Sequence, residues 1–291
     1  MKPARFEYFA PQSLDEAVSL LSGFDGKEAK VLAGGQSLLP MMNFRLTTPD
    51  VLIDLNRIPD LAFIEERDGV LEIGAMTRQR FIEFSPKVAQ HLPLLQEAVR
   101  LVGHLPTRTR GTIGGSLAHA DPSAEMCLTA VLLDAELVIR GPGAKRTVKA
   151  AEFFQSLMGT ALGPDEILTT IRLPLPSKGS GYAIEEVSRR SGDFAMASAA
   201  AIVDRSSNDD AGCHVQLAVG GVGPVPIRLR QTEQLLARVG LGDSAIKDAC
   251  AVAADELDPM ADHNASAAFR RHLGAVLLQR TLRKAIERRG A

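Results

Sequence analysis

The chain has 291 residues, 45% hydrophobic and 23% charged, which excludes a disordered chain and leaves enough apolar surface for more than one packed unit. Its formal net charge of -2 removes the electrostatic ground for a nucleic-acid partner or an anionic membrane. Met1 to Glu7 holds no apolar segment of signal-peptide length, and no later stretch is long enough to span a bilayer, so the expectation is a cytoplasmic protein.

In chain order, Ser13-Leu14-Asp15-Glu16 is a capping box, and a helix is expected from about residue 14. The apolar run Ala29 to Leu32 ends in Gly34-Gly35 and reads as a buried strand entering a tight turn. Val51 to Leu55 is the next strand, and strand-like patterns recur at 70–75 and 137–140. Helical spacing covers Leu92 to Val102 and Ser123 to Leu133, with Ser123 as the expected N-cap. Pro174 to Gly181 combines proline with glycine and serine and reads as a linker. Strands at about 182–190, 197–204 and 214–220, then helices at about 229–238, 243–256 and 266–288, give the chain's second part a distinct α+β order. The basic run Arg270, Arg271, Arg280, Arg283, Lys284, Arg288 and Arg289 lies on the last helix and reads as a solvated face.

Cys127, Cys213 and Cys250 form no C-x-x-C pair and no iron–sulfur or zinc spacing, and the six histidines are scattered. No metal site and no nucleophile–base pair is expected, and Cys127 reads as a small buried hydrophobe. The chemistry-bearing features are two glycine-rich turns. One is Ala33-Gly34-Gly35-Gln36-Ser37-Leu38; the other is Gly111-Thr112-Ile113-Gly114-Gly115-Ser116, followed by His119 and Asp121. Glycine lets a backbone approach a phosphate closely and turn successive N–H groups toward it, and hydroxyls add donors without bulk. Neither turn is a G-x-G-x-x-G leading into a helix or a Walker A sequence. Spacing alone leaves a plain tight turn and an anion- or dinucleotide-binding loop both open. A third cluster, Gly220-Gly221-Val222-Gly223, lies between an apolar strand and two prolines and reads as a structural turn.

Ala33 to Ser37 together with Thr112 to Ser116 resembles the FAD-binding medium subunit of molybdenum hydroxylases, the family of xanthine and carbon monoxide dehydrogenases. The likeness runs in order through nearly the whole chain. It takes in Phe6-Glu7-Tyr8, Ser13 to Ala17, Asp54-Leu55, Ala118 to Pro122, Pro164 to Leu168, Arg189-Arg190 with Gly192 to Ala195, and Gly220 to Val222. The resemblance implies an α+β, two-subdomain FAD-binding fold similar to vanillyl-alcohol oxidase, with boundaries near 1–57 and 58–176. It also implies a C-terminal α+β domain at 177–291 with a three-stranded antiparallel sheet and a helical bundle.

On that likeness the cofactor is FAD. Ala33, Gly34, Gly35, Gln36 and Ser37 would wrap its pyrophosphate, with Val31, Leu32 and Leu38 alongside. Gly111, Thr112, Ile113, Gly114, Gly115 and Ser116 would close the cradle from the second subdomain. His119 and Asp121 match positions beside the cofactor, His119 also being readable as a structural hydrogen-bonding residue. Glu125 matches an acidic position that holds cofactor sugar hydroxyls, or stabilises a helix N-terminus. Leu162, Val102 and Phe194 match apolar contacts. Many relatives carry tyrosine at Phe194 and histidine at Gln36, and xanthine dehydrogenases carry lysine at Glu185, so the acceptor and any NAD site stay open. The implied partners are a large molybdopterin-binding subunit and a small 2Fe–2S subunit, in a heterotrimer or its dimer, with membrane contact only if a quinone is the acceptor. The alternative is a self-sufficient FAD-dependent oxidoreductase of similar fold.

Overall fold

The structure, a computed structural model, describes residues 1–24, 26–204 and 213–290. Among the described residues three sheets of three or more strands follow one another along the chain, beside one two-stranded hairpin. The first is parallel, with strands β1 (Glu7–Phe9), β2 (Ala29–Leu32) and β3 (Val51–Asp54) in the order β1-β3-β2. Strands that run parallel need crossover connections, and helix α1 (Leu14–Leu21) supplies the one from β1 to β2, which flank β3. Ser13 caps α1 by accepting from Glu16 N at 3.2 Å, while Glu16 Oε2 reaches back to Gln12 N at 2.8 Å. This is the expected capping box, shifted by one residue on its return bond. Ala17, Val18 and Leu21 then bury against Val51 and Ile53. Helix α2 (Leu38–Asn43) follows the first glycine turn.

The second sheet is antiparallel and has five strands, in the order β4-β5-β10-β6-β7. They are β4 (Ile64–Arg67), β5 (Val70–Gly74), β6 (Glu136–Gly141), β7 (Ala144–Lys149) and β10 (Ile167–Pro174), with the small hairpin β8 (Phe154–Ser156) and β9 (Gly159–Thr160) before β10. Between β5 and β6 lie helices α3 (Gln79–Phe84), α4 (Pro86–His91), α5 (Pro93–Leu101), α6 (Leu105–Arg110), α7 (Ile113–His119) and α8 (Glu125–Leu132). A one-turn helix, α9 (Ala150–Phe153), follows β7. Helix α8 is buried on nearly every face, Cys127 included, which fits its uninterrupted apolar sequence. Its N-cap is Ala124 and not Ser123: the Ser123 N–H is taken by Asp121 Oδ1 at 2.8 Å, so the turn ahead of the helix belongs to Asp121.

The third sheet is antiparallel: β11 (Gly181–Val187), β12 (Ala197–Val203), β13 (Val215–Gly220) and β14 (Ile227–Arg228). Four strands replace the three expected. The fourth is only two residues long and sits between prolines and a helix, below the length at which alternation can be read. Helices α10 (Arg230–Val239), α11 (Asp243–Glu256) and α12 (Ala267–Glu287) complete the chain.

Strand β12 explains how the third sheet joins the rest. All seven of its residues, Ala-Ser-Ala-Ala-Ala-Ile-Val, are buried, and alternate side chains face opposite cores. Ala200 and Ile202 enter the core shared with α5, α8 and the second sheet, whereas Ala197, Ala199, Ala201 and Val203 pack under α11 and α12. Small side chains let the long helix come close. At Gly181 the approach is tightest: an added Cβ would lie 1.8 Å from the Ala285 carbonyl oxygen. The basic face of α12 is solvated only in part: Arg280 and Arg283 keep 64% and 47% of their side chains exposed, while others are covered or paired. Arg270 is only 7% exposed, Arg283 pairs with Asp243 at 2.8 Å, Lys284 with Glu185 at 3.2 Å, and Arg288 with Glu97 at 3.1 Å. Helical periodicity shows that these arginines share a helix but not which carboxylates the fold brings to them.

Gly181→Ala is expected to cost about 1–3 kcal/mol by forcing α12 away from β11. Gly242→Ala, where an added Cβ meets nothing within 4 Å, is the matched control. Urea unfolding should show a lower midpoint with unchanged slope for the first variant, and a shift within about 0.5 kcal/mol for the second.

Candidate cofactor site

The two glycine turns come from different sheets and meet backbone to backbone. The first leaves β2 at Leu32, and Gly35 takes φ +71°, a region glycine enters without strain. A Cβ on Gly34 would stand 2.4 Å from the Arg110 carbonyl oxygen and 2.8 Å from Gly111 Cα. A second touch lies alongside, where a Cβ on Gly115 would meet Ala33 Cβ at 3.4 Å. Leu39 N donates to Gly35 O at 3.2 Å and Met41 N to Ser37 O at 3.1 Å, which coils the chain into α2. The N–H groups of Gly34, Gly35, Gln36, Ser37 and Leu38 are donated to no acceptor among the described residues. Five successive open donors on a turn of small residues match what a pyrophosphate requires.

The second turn is built differently. Thr112, 2% exposed, is the N-cap of α7, and its Oγ1 accepts from Gly115 N at 3.1 Å. Gly111 N donates to Thr107 O at 2.6 Å, Ile113 N to Thr77 O at 3.1 Å, Gly114 N to Ala75 O at 2.9 Å and Ser116 N to Thr112 O at 3.1 Å. A Cβ on Gly114 would lie 2.4 Å from Ala75 Cβ. The glycines here serve close packing onto the segment after β5, and most backbone donors are spent inside the fold. The half-buried Ser116 hydroxyl is left as a donor.

A polar chain absent from the sequence reading fastens the two turns. Asp54, at the end of β3, accepts from Tyr8 Oη at 2.6 Å, from Asn56 N at 2.9 Å and from Asn56 Nδ2 at 2.5 Å. The same Asn56 amide donates to Ala33 O at 3.0 Å, and its Oδ1 accepts from Arg78 Nη2 at 2.5 Å. Arg78 Nη1 in turn donates to Arg110 O, the carbonyl against which Gly34 packs. Burial and the neighbouring Arg110 lower the Arg78 pKa below its ordinary value. The signal in sequence was Asp54-Leu55-Asn56, an Asx turn closing a strand; its distant partner Arg78 had none.

Glu125 opens α8 beside Asp121. Its carboxyl is pushed up to about 8, first by burial and then by the charges of Glu186 and Asp121, against smaller opposition from its own N–H and Arg108. Glu186, on β11, is raised to about 7 by burial, and its Oε2 is buried without a partner. Glu125 on α8 and Glu186 on β11 are thus both carboxyls with too little solvent to ionise readily. Cys127, fully buried nearby, is raised well above its ordinary value by burial and is an inert thiol.

The remaining expected residues are spread around this centre. Val31 and Leu32 are half-buried in β2, Leu38 opens α2, and His119 is the last residue of α7 before left-handed Ala120. Val102 and Leu162 both pack against the central core. Phe194 projects from the β11–β12 hairpin with 68% of its surface exposed. That hairpin leans on α6: a Cβ on Gly192 would lie 2.3 Å from the His104 ring. Gly221, the expected structural turn, has φ +71° and donates to Pro122 O at 2.9 Å. Among the described residues no group of three or more His, Cys, Asp or Glu side chains could hold a metal ion, and no helix is long and apolar enough to cross a membrane.

Residues 4–176 match the family model described as the FAD binding domain in molybdopterin dehydrogenase, and residues 182–285 match the CO dehydrogenase flavoprotein C-terminal domain. The chain belongs to the FAD-binding medium subunits of the molybdenum hydroxylase family. It is 39% identical over 289 residues to the carbon monoxide dehydrogenase medium chain of Hydrogenophaga pseudoflava, covering 98% of each chain. It is 37% identical to the 6-hydroxypseudooxynicotine dehydrogenase complex subunit alpha of Paenarthrobacter nicotinovorans, covering 99% of this chain and 97% of that one. Among solved structures, the carbon monoxide dehydrogenase of H. pseudoflava lacking the Mo-pyranopterin moiety superposes with a TM-score of 0.95 at 37% identity, over 99% of this chain and 100% of that one. Quinoline 2-oxidoreductase from Pseudomonas putida 86 gives a TM-score of 0.92 at 34% identity, over 99% of each. FAD is therefore the cofactor of this oxidoreductase subunit, and the open donors of the first turn fit its pyrophosphate.

Gly34→Ala should lower FAD affinity at least about tenfold, or about 1.4 kcal/mol, because the added methyl pushes the turns apart. Fluorescence titration with FAD checks this, and unchanged affinity would contradict the close-packed cradle. The acid pair predicts a pH dependence. Both carboxyls hold their protons more tightly in the folded chain than unfolded, where a glutamate titrates near about 4.3. Their contribution to stability is fully present below that value and is lost as pH rises through about 7 for Glu186 and about 8 for Glu125. Glu125→Gln should therefore raise the urea midpoint relative to the parent more at pH 9 than at pH 5.

Proposed function

We propose that this chain is a flavin relay, passing electrons from iron–sulfur clusters of a small partner subunit to an external acceptor after a large molybdopterin subunit has oxidised the substrate. The observation that carries the reading is the join of the turns: a free set of N–H donors at 34–38 held against a second turn from another sheet. On this reading residues 1–57 and 58–176 are the two halves of the cradle, in a fold like that of vanillyl-alcohol oxidase, and 177–291 is a third unit.

Gly34 to Leu38 would bind the pyrophosphate through backbone N–H groups, and Ser116 would add its hydroxyl from the opposite side. Gln36 and Ser37 leave the donors accessible, while Thr112 and the two glycines after Ile113 hold the second turn in place. Glu125 and Asp121 would accept from hydroxyls of the cofactor, and the proton that Glu125 retains near neutral pH limits the negative charge set beside a phosphate. Val102, Leu162 and Phe194 would exclude water from the ring. Bound FAD supplies the capacity to take up and release electrons, which no side chain of this protein provides.

The test is spectroscopic. The isolated FAD-loaded chain should show no flavin bleaching with aldehyde, N-heterocycle or carbon monoxide substrates, and should bleach once the cluster-bearing and molybdopterin partners are added. Bleaching by a substrate without partners would instead mark a self-sufficient flavoenzyme.

A further inference from the structure

Arg78 stands between the two turns of the cofactor site and is fixed from both sides. Its backbone belongs with the second turn. Thr77 O accepts from Ile113 N at 3.1 Å, Gln79 N donates to Gly111 O at 2.9 Å, and Arg78 itself forms an antiparallel bridge with Thr112. Its side chain reaches toward the first turn. Nη1 donates to Arg110 O, the oxygen that a Cβ on Gly34 would strike. Nη2 donates at 2.5 Å to Asn56 Oδ1, and the Asn56 amide nitrogen donates at 3.0 Å to Ala33 O. One asparagine side chain thus separates the guanidinium from the Ala33–Gly34 peptide, where the series of open N–H donors begins.

Two bonds to neutral oxygens need no charge. A glutamine amide also offers two N–H donors and would leave water at lower cost. Arg78 is nevertheless a half-buried cation, and among the described residues neither of its bonds nor any ion pair joins it to a carboxylate. Asp54 favours its charge less than burial and the neighbouring Arg110 disfavour it. The Asp54 oxygens are taken by Tyr8 Oη at 2.6 Å and by the Asn56 backbone N–H at 2.9 Å. Arg110 likewise makes no ion pair among the described residues. Two cations without a paired carboxylate therefore stand at the join of the turns, and they set a positive field beside the open donors.

We propose that Arg78 is a positioning residue of the cofactor site: through Asn56 and Arg110 O it holds the first turn at the spacing a pyrophosphate needs, and its uncompensated charge draws the diphosphate onto the donors of 34–38. The inference rests on the reading that these donors receive the pyrophosphate. The bound anion supplies the opposite charge that the fold withholds, which offsets the cost of half-burying the guanidinium. Neither role alone explains the arrangement. A fastener could be neutral, and an attracting charge could sit on a free surface side chain with nothing to hold.

The test titrates FAD into the full-length apoprotein by fluorescence at several ionic strengths, with the urea midpoint of each apoprotein measured alongside. Arg78→Gln and Asn56→Ala should each weaken FAD about tenfold or more. The double variant should bind within about twofold of the weaker single one, because either change opens the same link. The parent's affinity should fall as salt rises, and Arg78→Gln should show a flatter dependence. Arg78→Lys should keep the parent's slope while losing affinity, since an ammonium retains the charge but not the planar fork. A purely structural residue would lower the urea midpoint and leave FAD affinity and its salt slope unmoved. The proposal is overturned by that result, by losses that add in the double variant, or by a parental salt slope in Arg78→Gln. Gly34→Ala, titrated in parallel, separates the two ways of failing. If it weakens FAD and the Arg78 variants do not, the cradle stands and the role of Arg78 falls. If it too binds as the parent does, the pyrophosphate reading of 34–38 falls with it. No partner subunit takes part, so the relay reading is tested independently.

Discussion

Between Gly34 and the Arg110–Gly111 peptide the two main chains come too close for any side chain, with an added Cβ only 2.4 Å from a carbonyl oxygen. That approach sets the geometry of the cradle. It allows the loop after a parallel sheet to rest on a helix terminus that belongs to an antiparallel one, and it keeps five N–H groups of the first loop free. Arg78 then bonds the very carbonyl that the missing Cβ would have struck, and Asn56 links that guanidinium back to Ala33. Steric absence and polar fastening act on the same few atoms. A change at Gly34 is therefore expected to affect cofactor binding more than folding, since Gly34 lies outside the hydrophobic clusters of the core.

The division of work between the turns follows from where their donors go. The first turn is short of internal acceptors, because a parallel strand ending at Leu32 leaves the chain pointing away from its sheet. The second is pinned by Thr77, Ala75 and Thr107 carbonyls, and its glycines exist to admit those contacts. One turn is a binding surface and the other its support. The acid pair Glu125 and Glu186 adds an electrostatic constraint at the same junction. Folding buries Glu186 on β11 and Glu125 on α8, which raises both, and the charge of Glu186 raises Glu125 further.

The third sheet is fastened to this centre through β12, whose alternating alanines serve two cores at once. Such a strand transmits position well, because both faces are filled and neither can slide without losing packing. Arg270 extends that rigidity outward. From one buried guanidinium it holds the end of the β11–β12 loop at Met196, the Gly221 turn and the Asp262 turn, three segments far apart from one another in sequence.

Local chemistry was legible from the residues alone. The capping box at Ser13, the strand-to-turn transition at Gly34-Gly35, the buried Cys127 helix and the hydrophobic run of β12 each depend on neighbours within a few positions, and each formed where its pattern placed it. The likeness of the two glycine turns to a flavoprotein family was legible for the same reason, since it rests on contiguous residues. What depended on distant partners was not. Ser123 gave way to Ala124 as the N-cap, a two-residue strand joined the third sheet, and several cations of α12 found carboxylates 40 to 191 residues away. The sequence determined which segments turn, coil and bury, because those choices are made by backbone torsion and side-chain periodicity. Only the tertiary structure decided which turn keeps its N–H groups free and which spends them, because that depends on the carbonyls that packing brings alongside.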